Sequence, residues 1–238
     1  MHNVLKQRLA VRLAQITNLM KAAFFIVAMS TCFAATSPEV EFCFAEIGKV
    51  TPTEIKEIKL KQLAEREKTV FASREEYVKY AIENAKVADS IALVMRHQVI
   101  PLAVTVAQAC LESKFGESKL TKRSNNHFGI KATTAWLKAK NPYTVAHDDT
   151  PDDKFCKFES ALASFIAHAV LLNKPNYKKA GVFKYNPNTA NKAELRAVAQ
   201  AIKNAGYATD GGYRDAIMAL INQYKIIELI EASNYSSI

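Results

Sequence analysis

The chain is poor in the residues that mark extended, repetitive or metal-bound proteins. Seven glycines and seven prolines in 238 residues exclude collagenous and low-complexity classes. The histidines at 97, 127, 147 and 168 are scattered, with no HExxH motif and no paired-cysteine spacing, so no metal is expected. No cofactor motif and no internal repeat is found. No apolar run reaches the roughly 20 residues of a membrane span. The first 34 residues have no acid, only Lys6, Arg8, Arg12 and Lys21.

What is present begins with that basic start. It leads into AAFFIVAMSTCFAA, Ala22 to Ala35, which is too short to span a bilayer but suits the core of a signal peptide. Residues 1–34 are therefore expected to be an export signal, with Met20 a possible true start. Cleavage after Ala34 or, less favourably, after Ala45 would release the rest to the periplasm, cell envelope or exterior. An uncleaved anchor is the alternative. Cysteine usage depends on the cut: Cys43, Cys110 and Cys156 remain in the first case, only Cys110 and Cys156 in the second. A Cys110–Cys156 bridge is feasible in an oxidising compartment, and buried free thiols are the competing expectation.

The formal charge of +9 stays positive without the first 34 residues. It suits an anionic polymer such as wall, nucleic acid or membrane surface, and selects none. The basic residues are spread out and no nucleic-acid motif appears, so nucleic acid is not expected as a partner. Alanine-rich stretches with few β-branched runs point to a mainly helical fold.

The central stretch is PLAVTVAQACLESKFG, residues 101–116. No charged side chain occurs from Leu102 to Leu111; Glu112 is the first ionisable group. Pro101 suits a helix start and Gly116 a stop. A helix apolar all round lies inside a protein, so Glu112 should emerge where that helix meets open space. Partial burial and the negative end of the helix dipole both disfavour its anion, which suits a general acid. A polar residue ending a core helix is the plainer alternative.

Elsewhere, residues 35–72 are charge-rich and read as a solvated helix or linker. Ser73-Arg-Glu-Glu76 has capping-box spacing and opens a helix to about His97, its buried face formed by Tyr77, Tyr80, Ala81, Ala85, Ala88, Ile91, Ala92 and Met95. ESKLTKRSNN reads as a polar connection, followed by a turn at His127–Lys131. Trp136 lies in a stretch of weak helix signal. Residues 143–158 read as a β-hairpin with an acidic turn, DDTPDD, which lacks the pattern of a calcium loop. A second apolar helix spans 160–173, and KPNYKKAG reads as a basic turn. A helix starts at the capping pattern Asn191 to Glu194 and ends at Gly206, and a last one runs from about Gly212 to Tyr224. Residues 73–231 form one domain on this reading, with 232–238 as a tail.

Four stretches in this order resemble the glucosaminidase domain of peptidoglycan hydrolases, glycoside hydrolase family 73, which includes flagellar-type wall hydrolases. They are AQACLES (107–113), SNNHFGIK (124–131), Trp136 with the hairpin ending KFCKF, and GYATD (206–210). The resemblance implies an α+β, mainly helical, lysozyme-like domain, with a small β-hairpin lobe flanking the active-site cleft. It implies a peptidoglycan glycan strand as partner and hydrolysis of the β-1,4 bond between N-acetylglucosamine and N-acetylmuramic acid. Glu112 matches the catalytic acid and Tyr207 a tyrosine beside it. Asn126, Phe128 and Gly129 match the segment that shapes the groove floor. Trp136 could stack on a sugar or fill the core. The partner carboxylate would be Asp149 or Asp148 on the hairpin, with Asp152 and Asp153 as turn charges; a substrate acetamido group could instead serve as nucleophile. Muramidase or lytic transglycosylase action, or a catalytically silent wall-binding module, are the alternatives. A monomer is expected, touching membrane only through its export signal.

Overall fold

The computed structural model describes residues 70–147 and 151–235. The described residues belong to two units, 70–133 with 141–147 and 151–235 in one and Thr134–Lys140 in the other. The signal stretch, most of the charged linker and Cys43 lie outside the described residues.

In the larger unit, α1 (Arg74–Val94) starts as the capping pattern requires. Ser73 Oγ accepts from the Glu76 N–H at 3.2 Å, while the Glu76 carboxylate reaches one residue further back, to the Ala72 N–H at 2.6 Å. Tyr77, Ala81, Ala85, Ala88, Ile91 and Ala92 are buried, as their spacing predicts, and Val78 and Ile82 widen the stripe. The helix stops short of His97, because Arg96 takes a left-handed φ of 60° and the His97 N–H returns to Ala92 O at 2.9 Å.

α2 (Leu102–Ser113) is the hub and packs against α1 and, further along the chain, α7 (Lys192–Asn204), α8 (Tyr213–Gln223) and α9 (Ile226–Tyr235). Every residue from Ala103 to Cys110 is buried, on all sides of the helix, and each valine so enclosed contributes about 1.5–3 kcal/mol. The helix ends three residues before the expected stop. Lys114, Phe115 and Gly116 follow with φ of 53°, 57° and 78°, three left-handed residues in a row. Only Gly116 takes this conformation without strain, at roughly 1–2 kcal/mol for each of the others. A Cβ on Gly116 would stand 2.8 Å from the Phe71 ring and 3.0 Å from the Tyr77 ring. Phe115 is held under the Arg74 guanidinium, 4.9 Å from the ring centre, and against Tyr224 at 5.0 Å.

α5 (Ala161–Leu172) covers α1. Its cap is Ser160, which accepts from the Ala163 N–H. The hairpin forms as expected: β1 (Tyr143–Ala146) pairs antiparallel with β2 (Asp153–Cys156), Tyr143 opposite Cys156 and Ala146 opposite Asp153. Residues 130–132 extend it on the far side of β2, through Cys156 N to Ile130 O at 2.9 Å and Ala132 N to Lys154 O at 2.7 Å. Cys110 and Cys156 are buried and free, and burial pushes both thiols up to about 12.

Four helices differ from the sequence expectation. The polar connection contains α3 (Lys119–Ser124), capped by Ser118. The basic turn contains α6 (Pro175–Ala180), with Pro at its first position and Gly181 at its stop. α9 adds a helix after Tyr224. The first two run one or two turns, too short for a periodic apolar stripe, so only their caps mark them. In the smaller unit, the described residues form α4 (Thr134–Lys138), on which Trp136 is buried. Among the described residues no helix is long and apolar enough to cross a membrane.

Candidate active site

Glu112 is the penultimate residue of α2 and is half-buried. Its carboxyl lies over the 126–130 turn: a Cβ built on Gly129 would be 3.9 Å from Glu112 Oε2. Gly129 has φ of 61°, so any side chain there would be strained, with its Cβ in ordinary contact with the carboxyl.

The turn is held by Asn126, 1% exposed. Its amide nitrogen donates to Ile130 O and Cys156 O, both at 2.9 Å, and its oxygen accepts from Ile130 N at 3.0 Å and Phe128 N at 3.4 Å. Every hydrogen-bonding position of that amide is thus spent inside the protein. Asn126 therefore shapes the turn and ties it to β2. Phe128 is also closed to solvent, stacked on His168 with centroids 4.0 Å apart and edge-on to Phe165 at 4.8 Å.

Tyr207 arrives from the other side. α7, opened by the full capping box of Asn191 and Glu194, closes in a Schellman turn: Gly206 N bonds Lys203 O at 2.9 Å and Tyr207 N bonds Ile202 O at 3.3 Å. The Tyr207 hydroxyl then donates to Phe128 O at 3.0 Å, locking the turn beneath Glu112. Asp210 links onward, its Oδ1 accepting from Gly212 N at 2.9 Å, so the same motif sets the start of α8.

The groups packed behind Glu112 are buried and neutral. Burial, then the charge of Glu112, hold the Tyr207 and Tyr213 phenols well above their ordinary range. Burial lowers His127 to about 4 and His168 to about 3, so both imidazoles are neutral. His127 Nδ1 is hydrogen-bonded with Tyr77 Oη at 2.8 Å, and Ser113 Oγ, next to Glu112, donates to Tyr77 Oη at 2.8 Å. A low-dielectric wall with neutral hydrogen-bonding groups can keep a carboxyl ready to release its proton only when an acceptor arrives.

The structure thus brings Glu112, Tyr207, Phe128, Gly129 and Asn126 together. Asp148 and Asp149 lie outside the described residues. Asp153 pairs with Lys131 at 3.3 Å, in keeping with a turn charge. Sequence reasoning missed Gln108, Tyr213 and His168. Gln108 carried a usable sign, standing four residues before Glu112 on the same helix face; the other two are joined to the site only by tertiary packing. Among the described residues no group of three or more His, Cys, Asp or Glu could hold a metal ion.

This mainly helical fold with its two-stranded hairpin resembles solved peptidoglycan hydrolase domains. The crystal structure of a peptidoglycan hydrolase from Sphingomonas sp. A1 matches with a TM-score of 0.52 at 27% identity, covering 67% of this chain and 94% of that one. The chain belongs to the glucosaminidase family, whose family model, described as mannosyl-glycoprotein endo-beta-N-acetylglucosaminidase, matches residues 87–226. It is similar to the exo-glucosaminidase LytG of Bacillus subtilis, 30% identical over 155 residues, 58% of this chain and 49% of LytG. It is also similar to a probable N-acetylmuramidase of Lactococcus lactis, 29% identical over 202 residues, 83% of this chain and 44% of that protein. The chain spans about half the length of the curated relatives it matches.

Proposed function

We propose that the protein is an exported peptidoglycan hydrolase that cuts the β-1,4 bond between N-acetylglucosamine and N-acetylmuramic acid, with Glu112 as general acid. Residues 1–34 would direct export and 73–231 would carry the activity. The observation that carries this reading is the Glu112 carboxyl, emerging half-buried from α2 over the Gly129 backbone. In the reaction Glu112 gives its proton to the leaving glycosidic oxygen as the bond to the anomeric carbon breaks. Asp149 or Asp148, or the substrate's own acetamido oxygen, supports the cationic centre that develops. Tyr207 and Phe128 hold the turn, Gly129 leaves room beside the carboxyl, and the burial of Trp136 supports a packing role over a stacking one.

Glu112→Gln keeps the shape and removes the proton. We expect at least about a hundredfold less release of reducing ends from purified sacculi, the range of acid catalysis. Activity within threefold of wild type overturns the assignment. Equal sacculus binding by both proteins, with no release by either, points to a silent wall-binding module. The similarity to the probable N-acetylmuramidase of Lactococcus lactis supports muramidase action as a second reading. Mass spectra of digested wall separate the two, because the reducing-end sugar is N-acetylglucosamine in one case and N-acetylmuramic acid in the other.

A further inference from the structure

Two tyrosines lie near enough to Glu112 to feel its charge, and the motif around residue 207 accounts for only one. Tyr213, the first residue of α8, is 3% exposed and lies 6.0 Å from Tyr207 between ring centres. Its hydroxyl oxygen accepts a hydrogen bond from Gln108 Nε2 at 2.8 Å. Gln108 is fully buried, and its own Oε1 has no partner among the described residues. A buried amide left half-satisfied is costly, and a position needed only for packing would be filled as well by an apolar side chain. The amide is therefore there for its one bond. That bond uses a lone pair of the phenol oxygen and leaves the phenol's hydrogen to turn elsewhere. Glu112, four residues beyond Gln108, is its neighbour on the same face of α2.

We propose that Tyr213, anchored by Gln108, is a positioning residue for Glu112, its O–H turned toward the carboxylate that remains once the proton has gone to the leaving oxygen. This rests on the reading of Glu112 as the acid. In that step the Glu112 O–H bond breaks, its electron pair stays on the carboxylate, and the proton bonds to the glycosidic oxygen; Tyr213 keeps its own proton throughout. Burial and the nearby negative charge both favour the protonated phenol. The other titratable or charged groups packed around this end of α2 are Tyr207, Tyr177 on α6 and His168 on α5. Among the described residues, behind them lie Tyr77 and Arg74 on α1, Cys110 on α2 itself, His127 and Tyr224, with Lys114 and Glu117 on the exposed turn. The buried histidines are neutral at working pH, and the tyrosines stay protonated.

The test follows the Glu112 side-chain carboxyl carbon by NMR titration of the full chain, its resonance assigned through Glu112→Gln. Tyr213→Phe removes a donor to the anion, so the Glu112 midpoint should rise by about one pH unit. The basic limb of the pH–rate profile on soluble glycan fragments should move up with it. The same variant should lower kcat about tenfold with KM within about twofold. Gln108→Met keeps the hydroxyl and frees it, and should move the midpoint the same way by less. Thermal melting checks that both variants are folded. An unchanged midpoint in both overturns the proposal, whatever the wild type does to sacculi. A shifted midpoint in a protein that cuts no wall supports the positioning role and counts against the hydrolase reading alone.

Discussion

The wall behind Glu112 and the β-hairpin differ in how many constraints hold each side chain. Behind Glu112, Asn126 makes four hydrogen bonds, Phe128 is stacked on His168 and edge-on to Phe165, and Tyr207 bolts the turn from the end of a separate helix. The hairpin is two strands of four residues, with Tyr143 and Val145 exposed at 45% and 43%. A general acid must be placed to within a fraction of an ångström and kept dry, and the first region can do both. A thin ribbon cannot do so alone. A catalytic role on the hairpin would have to be one that tolerates looser placement, such as stabilising a spread positive charge.

That contrast predicts a graded set of effects. The largest separates Glu112 from the hairpin acids. Glu112→Gln should cost at least about a hundredfold in turnover, whereas Asp148→Asn and Asp149→Asn, adjacent and interchangeable in charge, should each cost about tenfold or less. Sacculus digestion by the three variants measures this, and an Asp149→Asn loss equal to that of Glu112→Gln would break the comparison.

Next comes the turn. Asn126→Ala strands buried N–H and C=O groups of Phe128, Ile130 and Cys156 and should destabilise the fold by about 2–4 kcal/mol, read as a lower denaturant midpoint. Removal of Lys131 from the partly exposed Lys131–Asp153 pair should change stability by less than about 1 kcal/mol.

Acid should loosen the same wall. His127 and His168 have folded values of about 4 and 3, below the roughly 6.5 of an unfolded chain. The unfolded state therefore binds more protons in that interval. Stability is complete above pH 6.5 and is lost as the pH falls toward those values, by about 1.4 kcal/mol per unit for each histidine. Denaturation midpoints between pH 7 and 4.5 report the slope, and His168→Gln should flatten it. The smallest effect belongs to the hairpin surface. Val145→Thr should move stability by no more than about 0.5 kcal/mol, and a larger loss would mean that this exposed face is more constrained than its burial indicates.

The same contrast governs what could be read from the chain. Glu112 was legible because an uncharged run of ten residues, closed by one carboxyl, has few other solutions than a buried helix meeting a surface. The caps at Ser73 and Asn191 were legible because their hydrogen bonds are local. α3 and α6 were not, since a helix of one or two turns has no periodicity to display. Gln108 and Tyr213 are 105 residues apart, and nothing in either local sequence announces that one will donate to the other. The end of α2 was placed too late for a related reason: Gly116 marks the last of three left-handed residues, and the first two are a lysine and a phenylalanine held there by their neighbours.

That left-handed run divides the chain by its tolerance to added or deleted residues. One residue inserted between Leu102 and Glu112 would turn the carboxyl by about 100° around the helix axis, away from the glycine turn. One placed after the run, at 117 or 118, would leave the register of the acid on α2 unchanged and disturb only the local link to α3, whose cap is Ser118. Length variation in relatives of this fold should therefore gather on the far side of Gly116.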